Sequence, residues 1–195
     1  MEYDKPPSLD VGSIRSFYKK HYGIENILPI NIPASLMQDK YLKRNIMIAT
    51  KENIETLKDY NYFIKDISKI KGMIDIVNKK SIPVNTNILI SEVIDITSEW
   101  RCFIYNKEIV GLKNYSGDFI SIPNINMIKE MVNDFIDAPM AYTLDAGIET
   151  NTGDTCLIEI HDFFSCGLYG FDDSKNLPRM YISSHKDILK RYNKK

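Results

Sequence analysis

The strongest sign of chemistry in this sequence is a pair of carboxylates, Asp145 and Glu159, on two segments with the pattern of neighbouring strands. A three-residue turn, with Thr150 facing Asp154, would place the two carboxylates directly opposite each other. Carboxylates in that position repel each other and destabilise a hairpin. A divalent cation held between them converts the repulsion into a binding site, and Mg²⁺ prefers oxygen ligands of this kind. The sequence therefore predicts a metal site, with a solvated hairpin whose acids point into water as the alternative.

His161 is the third candidate metal ligand. It lies two residues after Glu159, and side chains alternate along a strand, so both are expected on one face. The other face would carry Cys156, Ile158 and Ile160, which suits a hydrophobic core. A neutral imidazole can bind a divalent ion, although softer metals than Mg²⁺ favour it. It could equally hydrogen-bond a phosphate or act as a base, and a strand histidine with purely structural contacts is the alternative.

Hydrophobic periodicity predicts the elements that must position these side chains. Strands are predicted at 46–49, 62–66, 88–94, 100–105, 108–115, 140–149 and 155–161, and helices at 51–60, 126–136 and 186–192. Residues 73–77 fit either a helix or a strand, and Pro178 is expected to break the chain. Hairpins dominate this order and helices are few, which favours an α+β fold over a doubly wound parallel sheet.

Composition and charge narrow the class of protein. The net charge is −1, from 25 basic and 26 acidic side chains, which does not favour a protein that coats nucleic acid. The three cysteines, Cys102, Cys156 and Cys166, form no C-x-x-C pair, so neither a disulfide framework nor a thiolate zinc site is expected. No apolar run is long enough to span a membrane, and the N-terminus lacks the apolar core of a signal peptide. A cytoplasmic protein is therefore predicted, and its Ile, Lys and Asn content would suit a phage protein in the host cytoplasm.

Five short motifs follow one another in the middle of the chain. They are Phe63-Ile64-Lys65-Asp66 followed by Lys69, Lys71 and Gly72; Ile90-Ser91-Glu92-Val93-Ile94; Glu99-Trp100-Arg101 with Phe103; Tyr142-Thr143-Leu144-Asp145 with Ala146 and Gly147; and Leu157-Ile158-Glu159-Ile160-His161-Asp162. Through these motifs the region from Tyr62 to Tyr169 resembles the ATP-grasp superfamily, and within it a compact clade found in phages and bacteria. The resemblance implies two small α+β lobes with a nucleotide in the cleft between antiparallel sheets.

The resemblance also divides the chain and assigns roles. Residues 46–94 would form the small lobe and residues 95–195 the large lobe with the metal site, while residues 1–45 would be a reduced N-terminal region. The family usually has Asn where His161 stands, which leaves the activity of the metal site open. The implied residues are Arg101, Lys65 and Lys113 for catalysis; Lys65, Lys71, Glu92, Val93, Glu99 and Arg101 for cofactor binding; and Asp145, Glu159 and His161 for the metal.

The function that the resemblance implies is an ATP-dependent carboxylate–amine ligase. Such an enzyme uses ATP and one or two Mg²⁺ ions to form an acyl phosphate, which then reacts with an amine to give an amide or peptide bond. A small-molecule or peptide carboxylate and an amine would be its partners, without membrane or nucleic acid. A second copy or another chain could complete the acceptor site. Two alternatives stay open: a nucleotide-binding module without turnover, and a small-molecule kinase that uses the same cleft.

Overall fold

The computed structural model describes residues 11–68, 74–85 and 87–192. The helices in this part are α1 (Val11–Tyr22), α2 (Asp39–Leu42), α3 (Lys51–Thr56), α4 (Ile125–Asp134) and α5 (Asn176–Tyr192). The strands are β1 (Ile46–Ile48), β2 (Asn61–Asp66), β3 (Ile74–Asn78), β4 (Ile88–Glu92), β5 (Ile96–Tyr105), β6 (Glu108–Gly117), β7 (Ala141–Glu149) and β8 (Thr155–Asp162). None of the described helices is both long and apolar enough to cross a membrane.

Two antiparallel sheets of four strands form the framework of the fold. The small sheet has the order β1-β4-β2-β3, and the large sheet has the order β6-β5-β7-β8. All pairings within the two sheets are antiparallel, and most neighbouring strands in the large sheet are joined by hairpins. The predicted α+β class is therefore confirmed.

One face of the large sheet packs on helices and carries the main hydrophobic core. Cys102 and Leu144 from the sheet are fully buried together with Met131 of α4. Leu36 and Tyr41, from the segment before β1, are buried in the same cluster. Residues that precede the small sheet in the chain thus pack on the large one. On the opposite face, Phe103 and Ala141 pack against Phe171 and against Met180 of α5. The remaining part of that face meets the small sheet, where Lys65 bonds to Glu159.

The small sheet and the two terminal helices have cores of their own. Ile64 of β2 and Ile90 of β4 are buried in the small lobe. Helix α1 packs against α5 through Ile14 and Ile188. The Tyr18 hydroxyl also lies 2.9 Å from Nδ1 of His185 on α5. Helix α1 lies in the N-terminal part of the sequence, where hydrophobic periodicity predicts no element.

The structure resolves one ambiguous segment and corrects one predicted break in the chain. Residues 74–78 form a strand, so the ambiguity of that segment is resolved. Pro178 does not break the chain, because α5 already begins at Asn176 and holds the proline in its first turn, where a missing N–H is tolerated. The Asn176 N–H donates to Oδ1 of Asp173 at 2.9 Å, which helps to start the helix there.

Helix α4 begins at a side-chain cap whose removal we expect to destabilise the large lobe. Oδ1 of Asn124 accepts hydrogen bonds from the N–H groups of Asn126 and Met127, at 3.0 and 3.3 Å. Asn124→Ala removes this acceptor and is expected to lower the free energy of unfolding by about 0.5–2 kcal/mol. Urea unfolding followed by circular dichroism measures the change. Asn126→Ala, an exposed position in the same turn, is the control, and an equal effect of both variants would contradict the cap.

Candidate functional site

The hairpin of β7 and β8 brings the predicted carboxylates together, although its turn differs from the one expected. Asp145 is the register partner of Glu159. Glu149, and not Thr150, faces Asp154, since the Glu149 N–H donates to the Asp154 carbonyl at 2.9 Å. The turn is therefore one residue longer than predicted. A bulge at Ile158 on β8 absorbs the extra residue and restores the register at the carboxylates.

The bulge also changes which side chains of β8 reach the core. Leu157 and Ile160 are both buried in the main core cluster. Ile158 instead lines a cavity between the two sheets. The prediction that Cys156, Ile158 and Ile160 share the core face is therefore wrong. Of the three, only Ile160 belongs to the main core cluster, because the bulge breaks the simple alternation of side chains.

Four charged side chains form a row across the large sheet. Lys113 on β6 is the register partner of Arg101 on β5, which in turn faces Asp145 on β7 and, beyond it, Glu159 on β8. Directly opposite residues point to the same side of a sheet. That side, which we call the cleft face, meets the small sheet, since the Lys65 ammonium on β2 donates a hydrogen bond to the Glu159 carboxylate.

Arg101 and Asp145 form a buried, bidentate ion pair at the centre of the row. The Arg101 Nε and Nη2 atoms donate to the two Asp145 carboxylate oxygens at 2.8 and 2.6 Å, and Nη1 donates to the Gly167 carbonyl at 3.0 Å. The two residues are 6% and 3% exposed. Burial raises the pKa of Asp145, but the hydrogen bonds from Arg101 and His161 outweigh it and hold the pKa below its ordinary value. Arg101 thus holds a carboxylate, rather than standing open to a phosphate.

Two tyrosines cover the Arg101 guanidinium. The rings of Tyr115 and Tyr169 stack with centroids 5.0 Å apart, and the Arg101 Cζ lies 5.6 Å from the first and 5.0 Å from the second. The Tyr115 hydroxyl donates to Oε2 of Glu99 at 2.7 Å. Burial, followed by the nearby Asp145 and Glu99 charges, raises the pKa of Tyr115. The phenol therefore stays protonated and serves as a donor.

Asp145, Glu159 and His161 meet, but they form an ion-pair network and not a preformed metal centre. The His161 Nε2 lies 3.3 Å from Oδ2 of Asp145 and 3.4 Å from Oε2 of Glu159. Arg101 occupies both oxygens of Asp145, and Lys65 is bonded to Glu159. In the described ranges no three His, Cys, Asp or Glu side chains are arranged to hold a metal ion.

The donor types nevertheless fit a divalent cation. Two carboxylates and an imidazole supply oxygen and nitrogen ligands, and Glu159 and His161 are partly exposed on the cleft face. The Lys65 ammonium takes the place of a cation beside Glu159. A metal ion at this point therefore requires Lys65 to move away from the carboxylate.

A cavity of about 250 Å³ lies between the two sheets and ends at Lys65 and Glu159. Its walls are largely apolar, as is usual for a small-molecule site with a few polar groups that fix orientation. The Glu92 carboxylate accepts hydrogen bonds from the Asn45 backbone and side chain, both at 2.9 Å, and so joins β4 to the start of β1. The lining residues are Asn31, Ile32, Arg44, Ile46, Phe63, Lys65, Ile76, Leu89, Ser91, Glu92, Val93, Ile94, Ile158 and Glu159.

Arg44 is a residue of this cavity that sequence patterns do not single out. Its Nε donates to Oγ of Ser91 at 3.0 Å, and its Nη1 donates to the Leu157 carbonyl at 3.0 Å. It therefore joins the small sheet to the large one. Burial lowers the pKa of Arg44, and no carboxylate among the described residues pairs with it. A half-buried arginine without an acid partner can be recognised only once the folded structure is known.

The remaining predicted residues fall in three places. Lys71 lies outside the described residues. Glu92 and Val93 line the cavity, and their role as an adenine hinge stays a prediction. Lys113 lies beside Arg101 and has no ion-pair partner in the described part of the chain. Within that part, the cleft face thus holds one unpaired lysine next to the buried ion pair.

The fold is that of an ATP-grasp domain. Residues 41–177, well over half of the chain, match the model of an ATP-grasp domain family. This family is the second one described in its clade of ATP-grasp domains. The chain belongs to this family. No curated protein matches the sequence.

Solved structures share the fold at low sequence identity. The ATP-grasp ligase PsnB complexed with a minimal precursor has a TM-score of 0.53 and 11% identity, over 77% of this chain and 58% of that one. A further PsnB structure holds a phosphomimetic precursor variant, Mg and ADP, with a TM-score of 0.53, 9% identity, and 77% and 55% coverage. D-alanine–D-alanine ligase from Bacillus anthracis complexed with ATP has a TM-score of 0.50 and 10% identity, over 78% of this chain and 62% of that one. The chain therefore spans less than two thirds of the length of these structures.

Proposed function

We propose that this protein binds Mg-ATP between its two sheets and uses it to activate a carboxylate for ligation to an amine. The observation that carries the proposal is the meeting of Lys65 with Glu159, where an apolar cavity opens onto a row of charges. A nucleotide needs these two environments side by side, an apolar one for its base and a charged one for its triphosphate. The proposal treats residues 46–94 as the small lobe and residues 95–195 as the large lobe.

The cavity suggests how the nucleotide lies. The base fits the apolar part, beside Glu92 and Val93, and the phosphates extend toward Lys65. Lysine is a compact point charge that suits phosphate oxygens. Because Lys65 is bonded to Glu159 in this structure, it must exchange the carboxylate for phosphate when ATP binds.

The proposed reaction is two successive displacements. An oxygen of the substrate carboxylate attacks the γ-phosphorus and ADP leaves, which gives an acyl phosphate. The amine then attacks the acyl carbon, phosphate leaves, and an amide remains. Little covalent chemistry falls to the protein, so positioning and charge must supply most of the rate. Lys65 and Lys113 would offset the negative charge that develops.

Arg101 has an indirect part in this scheme. Its three donating atoms are occupied by Asp145 and Gly167, so it fixes the position of the Asp145 carboxylate. Glu159, His161 and that carboxylate would hold one or two Mg²⁺ ions, an assignment supported by the presence of Mg and ADP in the PsnB complex. A bound Mg²⁺ supplies positive charge next to the phosphates.

The substrate class is a carboxylate on a peptide or a small molecule. One PsnB structure holds a minimal precursor, and the B. anthracis enzyme is named as a ligase of D-alanine with D-alanine. By analogy with these two proteins, a peptide carboxylate and an amino-acid carboxylate are the first acids to test.

The second candidate is a nucleotide-binding module without turnover. It is favoured by the state of the charged row, in which each nitrogen atom of Arg101 already donates within the protein and Glu159 is paired with Lys65. The two candidates differ in product: a ligase releases ADP and phosphate when the correct acid and amine are present, whereas the module only binds ATP.

Titration calorimetry of ATP, with and without Mg²⁺, tests the proposed site. Wild type is expected to bind ATP more tightly with Mg²⁺, and Glu159→Ala to lose that gain, because Glu159 supplies a metal ligand. A loss of about tenfold or more corresponds to the removal of a hydrogen bond or ligand with a charged group. Glu130→Ala, an exposed carboxylate on α4, should bind like wild type. Absence of ATP binding in wild type, or a Glu159→Ala variant that keeps the full Mg²⁺ effect, would overturn the proposal.

A further inference from the structure

Glu99, Tyr115 and Tyr169 form a platform on the cleft face that the proposed nucleotide site does not use. Oε2 of Glu99 accepts the Tyr115 hydroxyl at 2.7 Å, and the Tyr115 ring stacks on the ring of Tyr169. Glu99 is half-buried, and its Oε1 atom has no hydrogen-bond partner among the described residues. The platform thus presents a carboxylate oxygen beside aromatic rings.

Tyr169 is held on the platform in a backbone conformation that tyrosine rarely adopts. Its φ is 48°, in the left-handed region, and the residue is 50% exposed. Such a conformation costs of order 1 kcal/mol or more and persists only where surrounding contacts determine it. Two contacts hold Tyr169 in this conformation: its ring stacks on the Tyr115 ring and lies against the Arg101 guanidinium. An exposed ring held at a conformational cost beside a cleft is a mark of a binding surface.

We propose that this platform binds the primary ammonium group of the acceptor, and that apolar carbons next to the ammonium lie on the Tyr169 ring. The proposal rests on the ligase function above, for which it names the acceptor subsite. A carboxylate and aromatic faces both attract an ammonium group, and each contributes more when partly shielded from water.

The charges around the platform agree with this assignment. Glu99 and Arg101 are two residues apart on β5 and therefore lie about 7 Å apart along one face. Lys113, the register partner of Arg101, is a cation without an acid partner in the described ranges, and it lies at the level of Arg101. An anionic acyl group beside Lys113 and a cationic amine beside Glu99 would be neighbours on the cleft face. That arrangement brings the two reacting groups of a ligase together. The ammonium would pass one proton to Glu99 or to solvent, and its neutral nitrogen would then attack the acyl carbon as phosphate leaves.

The test is a titration with n-butylamine, followed by the aromatic NMR signals of Tyr115 and Tyr169. Each signal is assigned from its absence in the corresponding Tyr→Phe variant. At neutral pH the amine is charged, and 1-butanol is the neutral probe of matched length. Wild type is expected to show saturable shifts of both tyrosine signals with the amine and much smaller shifts with the alcohol.

Variants separate recognition by Glu99 from a structural role. Glu99→Gln keeps an acceptor for the Tyr115 hydroxyl and is expected to weaken amine binding about tenfold, the effect of losing a hydrogen bond between charged groups. Glu108→Gln, an exposed acid on the same hairpin, leaves amine binding unchanged. Tyr115→Phe leaves Glu99 and the ring in place, so it should retain binding.

Three results would overturn the subsite: equal shifts with amine and alcohol, no shifts in wild type, or equal losses in Glu99→Gln and Tyr115→Phe. ATP binding is measured on the same samples. Amine binding without ATP binding would sink the ligase assignment and leave a cation site, whereas ATP binding without amine binding would sink the subsite alone.

Discussion

Asp145→Ala is expected to lower the free energy of unfolding by about 3–5 kcal/mol, the largest single effect on stability that the structure predicts. The carboxylate accepts from both Nε and Nη2 of Arg101. Because Arg101 is only 6% exposed, the variant leaves a buried guanidinium without its counter-charge. The energy lost is mainly that of desolvating the orphaned cation, and not the net contribution of the pair.

Urea unfolding, followed by circular dichroism, measures this loss. Asp154→Ala on the same hairpin is the matched control, because Asp154 is half exposed and pairs with Lys43 at the surface, at 3.0 Å. Surface ion pairs contribute about 0–1 kcal/mol. A double variant, Arg101→Met with Asp145→Leu, is expected to recover much of the stability, since no charge is left buried. If Asp145→Ala were no worse than Asp154→Ala, the pair would not be buried in solution.

The pairing of Asp145 with Glu159 could be predicted from sequence because it depends on local rules. Side chains alternate along strands, and a turn signal at residues 151–153 fixes roughly where the chain reverses. The predicted turn is nevertheless one residue too short. A bulge at Ile158 adds one residue to β8, so Asp145 still pairs with Glu159 as predicted. Ile158 itself lines the cavity and does not lie in the core, where it was predicted.

The partners of Arg101 could not be predicted because they depend on the order of strands in the sheet. Arg101 and Asp145 are far apart in sequence and face each other only because β5 lies next to β7. Gly167 reaches the guanidinium from beyond β8. The resemblance implies a phosphate contact for Arg101, and that role stays a prediction. In this structure the guanidinium is bonded to Asp145, a candidate metal ligand. Arg44 could not be predicted for the same reason, since its acceptors belong to two different sheets.

Two ion pairs hold the carboxylates of the charged row, one within the row and one to Lys65 of the small sheet. Arg101 neutralises Asp145, and Lys65 neutralises Glu159. Of these two pairs, the second joins the two sheets and stands at the end of the cavity. An incoming triphosphate competes with Glu159 for Lys65, while an incoming divalent cation competes with Lys65 for Glu159. Nucleotide binding would therefore free Glu159 for the metal ion, and metal binding would free Lys65 for the phosphates. This predicts that the two ligands bind cooperatively.

Lys65→Met should change the affinities for ATP and for a divalent cation in opposite directions. ATP binding is expected to weaken about 10–100-fold, because a hydrogen bond between charged groups contributes about 1.5–3 kcal/mol. Binding of Mn²⁺ in the absence of nucleotide is expected to strengthen, because Glu159 loses its competing cation while its side chain stays 20% exposed.

Titration calorimetry with Mg-ATP and, separately, with Mn²⁺ alone measures both effects. Lys129→Met, which removes an exposed lysine from α4, controls for the change in net charge and should alter neither binding constant. Weaker binding of both ligands in Lys65→Met would mean that the lysine merely supports the fold. Unchanged ATP binding would place the phosphates elsewhere. A loss for ATP together with a gain for Mn²⁺ is the result expected only if Lys65 occupies the cation position beside Glu159 until the nucleotide arrives.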